Sequence, residues 1–136
     1  MHTAGADADL LAIEQSYKQR GGAFIIMEDS SGEIVACHAT TPIDKGAGLI
    51  TFRRLYLKRT LRGQKLGKRL MDWAVEWSRD AGFKRIEFWS DTRFTGAHEF
   101  FEHYGFTKSG EIREMNDGLL PYSEYFFSMD LVRDSD

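Results

Sequence analysis

The 136-residue chain holds one cysteine, Cys37, and two prolines. A single thiol excludes an internal disulfide, and it excludes a structural zinc site built from several cysteines. The four histidines, His2, His38, His98 and His103, make no ligand spacing with one another or with Cys37. His98 and His103 are five apart, which does not put both on one helix face. No metal site is expected. No apolar run approaches the ~20 residues that cross a bilayer. The opening Met-His-Thr-Ala-Gly-Ala-Asp has neither the basic start nor the apolar stretch of a signal peptide. A cytoplasmic protein without membrane contact is the expectation. Positive charge is not in excess either. Eighteen Lys+Arg against twenty-one Asp+Glu give a net charge of −3, which argues against a general nucleic-acid binder.

What is present is a globular composition. The hydrophobic fraction of 42% and the aromatic fraction of 13% exclude a disordered or collagen-like chain, and the length is that of one domain. Residues 1–8 read as a flexible polar lead-in, and 9–133 as a single domain. Asp9 is placed to cap a helix carrying Leu10, Ile13 and Tyr17, which Gly21-Gly22 ends. The runs 23–27 and 33–39, separated by Asp29-Ser-Ser-Gly32, read as a hairpin. Residues 41–46 read as a loop and 48–57 as a third strand. Leu66, Leu70, Trp73 or Ala74, and Trp77 then recur at helical spacing, with Trp73 and Trp77 read as core. A strand over 85–89, a helix through Ala97, Phe100, Phe101 and Tyr104 with Gly105 as its cap, and strands near 106–114 and 121–132 complete the order. Hairpins imply antiparallel pairing, and the two connections through helices imply parallel crossovers. Ligands of such sheets gather beyond the carboxyl ends of strands next to a crossover. That points to the junction after the third strand.

Charge is unevenly spread. From Lys45 to Met71 there is no acidic residue, and nine of the eighteen basic residues fall there. From Glu111 onward the balance is −5. A basic middle and an acidic end suit one anionic and one cationic ligand. Within the basic window, Leu61-Arg-Gly-Gln-Lys-Leu-Gly-Lys-Arg-Leu70 follows a strand and opens a helix. Unpaired N–H groups and the positive end of the helix dipole make such a junction an anion site. Arg62, Gly63, Gln64, Lys65, Leu66, Gly67 and Lys68 are the candidate cradle. The stretch lacks the Gly-Lys-Ser/Thr ending of a nucleotide triphosphatase loop. Taken alone, it also fits a solvated basic helix start.

Arg62-x-x-Lys65-x-Gly67 resembles the acyl-CoA pyrophosphate motif of the GNAT superfamily of N-acetyltransferases. Arg53-Arg-Leu-Tyr-Leu57 resembles that family's central strand, and Ala97-His-Glu-Phe-Phe-Glu-His-Tyr-Gly-Phe106 its Ala-x-x-x-Tyr-Glu-x-x-Gly-Phe helix ending. The resemblance runs from about Asp9 to Val132. It implies an α/β fold with a mixed, mostly antiparallel central sheet and helices on both faces. The family's usual first strand and first helix have no counterpart before Asp9. Lys65 stands where the family has a glycine. Phe101 stands where it often has a tyrosine that protonates the departing thiolate, and Thr51 where it often has a glutamate base.

The activity this resemblance implies is attack of a small-molecule primary amine on the thioester of acetyl-CoA. Backbone N–H groups at Leu55, Tyr56 and Leu57 would polarise the carbonyl. A carboxylate would take the amine's proton. Glu124, in the acidic half, is the first candidate base and Asp91, just past the strand 85–89, the second. Each also reads as an ordinary strand-pairing or capping carboxylate. Arg93 is a candidate for holding a substrate carboxylate and also reads as a surface residue. Cys37 reads as an inert core thiol. The implied partners are acetyl-CoA and the amine acceptor, and a homodimer through the exposed edge of the first hairpin is expected. A CoA-binding module that has lost catalysis is the alternative.

Overall fold

The structure is a computed structural model, and it describes residues 15, 17–61, 65–116, 118 and 120–131. Six strands form one sheet in the order β1-β2-β3-β4-β6-β5. They are β1 (Ala23–Glu28), β2 (Ile34–Asp44), β3 (Leu49–Leu57), β4 (Arg85–Asp91), β5 (Thr107–Met115) and β6 (Tyr122–Asp130). Two helices join them, α1 (Leu66–Asp80) and α2 (Thr95–Tyr104). The pairs β1–β2, β2–β3, β4–β6 and β5–β6 are antiparallel, and β3–β4 is parallel. The mixed, mostly antiparallel sheet expected from the sequence is therefore present. The proposed capping of a helix by Asp9, the lead-in, and the question of a first strand and helix fall outside the described residues.

One element differs. The stretch 41–46, read as a loop, continues β2 as far as Asp44, with Pro42 opposite Ile50. The β1 partner reaches only to Thr40. Pro42 thus lacks a donor on a side where no described strand asks for one. The register shift beside it, between Pro42 and Asp44, is a further place where a sheet accepts proline.

Both helices lie on one face of the sheet. Met71, Ala74 and Val75 of α1 and Phe101 of α2 close over Ile50, Phe52, Ile86, Phe88 and Phe127. Phe88 is at the centre. Its ring stacks on Phe52 and Phe127 at 5.5 and 5.4 Å and meets the edges of Phe101 and Phe106 at 4.9 and 5.2 Å. Removing such a ring costs about 3–5 kcal/mol, so this cluster fixes how α2 sits on β4. Trp73 and Trp77, read as core, are half-buried at its margin. On the opposite face Tyr17, in a helical turn, packs with Phe24 and Ala39, with half-buried Cys37 and Ile26 beside them. Gly105 ends α2 with φ 128, a backbone angle that suits glycine, and thereby turns the chain into β5.

Candidate active site

Among the described residues β3 and β4 pair only at Leu49–Arg85 and Ile50–Ile86, and beyond these the two strands part. On its other edge β3 carries a bulge. Between the pairs Ala39–Arg53 and Cys37–Tyr56 it advances three residues while β2 advances two. A bulge bends its strand and breaks the ladder locally. The parting strands leave a groove of about 1180 Å³. Leu55, Tyr56 and Leu57 form its β3 wall, and Lys65, Gly67 and Lys68 border it at the start of α1. Ser90 and Asp91 of β4, Phe100 and Phe101 of α2, and Glu124 of β6 also line it. Eight of the eleven candidate CoA-binding positions are described. Seven of these line one space, and Leu66, which opens α1, is the eighth. Arg62, Gly63 and Gln64 lie outside the described residues.

The start of α1 has two special features. Lys65 is its N-cap in the left-handed conformation, φ 65 and ψ 11, and is the one non-glycine residue with positive φ among those described. No side chain caps the helix. Its first N–H groups are thus left for water or an anion. At Gly67 a Cβ would sit 3.6 Å from the Phe100 ring and 3.8 Å from Leu57 Cδ2. The absent side chain is therefore a gap in the floor between α1, α2 and β3. Lys68 Nζ donates to Asp72 Oδ2 at 2.9 Å, one turn along the same helix, and Asp72 Oδ1 accepts from the Tyr104 hydroxyl at 2.6 Å.

The two candidate bases are neighbours. Asp91 and Glu124 are register partners across β4 and β6, and each faces an arginine. Arg93 grips Asp91 through Nε at 2.9 Å and Nη2 at 2.5 Å. This side-chain contact, with the Arg93 backbone N–H, pulls the Asp91 carboxyl down to about 2. A carboxylate so stabilised is a weak proton acceptor. Arg113 reaches Glu124 with Nε at 2.7 Å and Nη2 at 2.6 Å, and both contacts fall on Oε1. Arg113 also lies 4.5 Å from the centre of the Trp89 ring, and Arg93 5.7 Å from that of Tyr122.

A model of the acetyltransferase (GNAT) family matches residues 3–106, more than half of the chain. The chain belongs to the GNAT acetyltransferase family. It is 30% identical over 102 residues to an uncharacterized N-acetyltransferase, YjgM, of Escherichia coli K12, covering 74% of this chain and 60% of that protein. The chain spans about half to three fifths of the length of the curated relatives it matches. Among solved structures, it is similar to a GNAT acetyltransferase of Elizabethkingia anophelis with acetyl-CoA bound. The TM-score is 0.68 at 18% identity, over 96% of this chain and 95% of that one. It is also similar to a GNAT phosphinothricin acetyltransferase of Sinorhizobium meliloti in complex with acetyl-CoA. There the TM-score is 0.74 at 16% identity, over 91% and 69% of the two chains. At these identities the structural likeness establishes the GNAT fold.

Against the GNAT pattern, three positions stand out. Lys65 adopts a positive φ, a conformation for which the motif's glycine is suited. Phe101 is buried and brings a ring without a hydroxyl to the groove. Thr51 is buried on β3 and is absent from the groove lining. One pair escaped the sequence reading altogether. Ser90, on the groove wall, has its Oγ 3.0 Å from Nε2 of His98, and His98 is only 6% exposed. Neither the eight-residue separation nor the residue types marked them.

Proposed function

We propose that the chain is an acetyl-CoA-dependent N-acetyltransferase whose acceptor is a primary amine of a small molecule. The observation that carries this is the parted β3–β4 pair with the uncapped N-terminus of α1 at its edge. A thioester lying between the strands would have its phosphates at the helix start and its carbonyl beside the bulged strand. In this reading Arg62 to Lys68 hold the pyrophosphate, with Lys68 exchanging Asp72 for phosphate. Backbone N–H groups at Leu55 to Leu57 stabilise the oxyanion. Phe101 packs against the acyl-bearing arm. Much of the acceleration comes from holding amine and thioester together.

The amine nitrogen attacks the carbonyl carbon, the C–S bond breaks and CoA leaves as a thiolate. An arriving ammonium must first lose a proton. Glu124 is the proposed acceptor, through water, because Arg113 engages only its Oε1. Asp91 is the weaker choice, being fixed by Arg93. A cytoplasmic location and a homodimer through β1, the outer strand of the described sheet, belong to the same reading. Among the described residues no helix is long and apolar enough to cross a membrane. The test is a screen of amine acceptors that reads free thiol released from acetyl-CoA. The buried Phe101 favours a second reading, a CoA-binding module without catalysis. Binding of CoA with no thiol release from any amine would decide for that one.

A further inference from the structure

We propose that Ser90 and His98 form a proton relay that carries a proton from the attacking nitrogen to the departing sulfur. This rests on the acetyltransferase reading above. Ser90 lies near the carboxyl end of β4 and lines the groove, where its hydroxyl can meet a bound ligand. Its Oγ is 3.0 Å from His98 Nε2, and the imidazole is buried behind it in α2. The His98 ring is wedged 5.1 Å from Phe127 and 5.6 Å from Tyr125, measured between ring centres, so its orientation is fixed. The Phe101 ring centre is 6.3 Å away on the same helix. The groove thus has a hydroxyl with a buried imidazole behind it, next to the aromatic ring that carries no hydroxyl.

The proton inventory closes without another reactant. Attack by a neutral amine leaves a positively charged nitrogen on the tetrahedral carbon. That nitrogen gives its proton to Ser90 Oγ as the Oγ–H passes to His98 Nε2. The C–S bond then breaks. The thiolate takes a proton from Ser90 Oγ–H, and the imidazolium returns its own to Oγ. One proton has moved from nitrogen to sulfur, and both residues are as they began. The relay needs His98 neutral at the start. Burial, with Lys108 on β5, holds the imidazole below its ordinary value, while the Asp91 carbonyl, Glu102 and the Asp91 carboxylate pull the other way. Tyr125 on β6 is the remaining titratable group against the ring.

The experiment compares wild type with Ser90→Ala, Ser90→Thr and His98→Phe on the intact chain. It reads thiol release from acetyl-CoA across pH, together with the melting shift produced by CoA. Ser90→Ala and His98→Phe are expected to lower kcat at least ~10-fold while the CoA-induced shift is unchanged. Ser90→Thr, which keeps the hydroxyl, is expected to retain most of the rate. Both proteins should lose rate on the acid side as the amine becomes protonated, and wild type should lose more than Ser90→Ala there because only its relay is stopped when His98 protonates. An unchanged kcat in Ser90→Ala overturns the relay, as does an acetyl group found on Ser90 after mixing with acetyl-CoA alone. Wild type that binds CoA yet releases no thiol with any amine overturns the acetyltransferase reading and the relay with it. Ser90→Ala removes a single hydroxyl at the groove wall and carries the test on its own where His98→Phe fails to fold.

Discussion

Gly67→Asp separates folding from CoA binding at one position. Gly67 is the second residue of α1, and a Cβ there meets Phe100 and Leu57 at 3.6 to 3.8 Å, ordinary contact distances. An aspartate in the first turn of a helix also suits the dipole. The free protein should therefore melt within a few degrees of wild type. The bound state should suffer. A carboxylate about 5 Å from a phosphate charge costs about 1–3 kcal/mol per pair, so two pairs near the low end of that range already weaken binding about a hundredfold. With CoA at about 100 times its wild-type Kd, wild type gains ~2.7 kcal/mol of stability, and the variant only a few tenths. In a chain of this size that is a melting shift on the order of 10 °C against one of 1–2 °C. Thermal melts of both proteins with and without CoA make the comparison. Gly67→Ala is the partner control, adding the methyl without the charge. A Gly67→Asp protein that folds and keeps a wild-type shift would refute the placement of the pyrophosphate at this helix start.

Three further outcomes are expected. Lys65→Gly relieves a left-handed lysine, worth ~1–2 kcal/mol, against ~0.5–1 kcal/mol of extra chain entropy in glycine, so the free protein should melt slightly higher. Its CoA affinity should fall with the ammonium lost, and a lower melting point would show that the left-handed lysine is not strained. His38 is fully buried, its Nδ1 near the Leu70 carbonyl at 3.3 Å, and loss of water around the ring pulls its pKa down to about 4. The unfolded chain binds the extra proton first, so stability is complete above about pH 6.5. It should decline by ~3 kcal/mol as pH falls to about 4, and a flat denaturation midpoint across that window would count against the burial. Finally, Glu124→Gln should slow turnover at pH 7 more than at pH 9, where more of the amine is already neutral. A pH profile parallel to wild type would remove Glu124 from the proton path.

The parts of the fold that the sequence discloses are those whose signal is local. Leu66, Leu70, Ala74 and Trp77 mark α1 because a helix repeats its buried face along the chain. The β2 extension was hidden because Pro42 is read as a breaker. Whether it breaks a strand depends on whether a neighbour needs its N–H, which is a fact about the sheet. The half-burial of Trp73 and Trp77 has the same origin, since periodicity gives the face of a helix but not how far the sheet beneath it extends.

The candidate site divides along the same line. The proposed cradle from Arg62 to Lys68 is contiguous in sequence, and so it can be read as a motif. The carboxylates could be named as chemical types, but their arginine partners could not. Arg113 meets Glu124 only because β5 and β6 pair in one register, and a slip of one residue would put them on opposite faces. Ser90 and His98 lie still further from a sequence signal. β4 runs two residues past its apolar core, so Ser90 reaches the groove wall. The chain then turns through Phe94 into α2 and brings His98 back over the strand it has just left. Histidine spacing is a one-dimensional test, and for His98 it argues only against a metal site. The imidazole instead has a serine hydroxyl before it and aromatic rings behind it, and proton transfer is the chemistry those neighbours leave open.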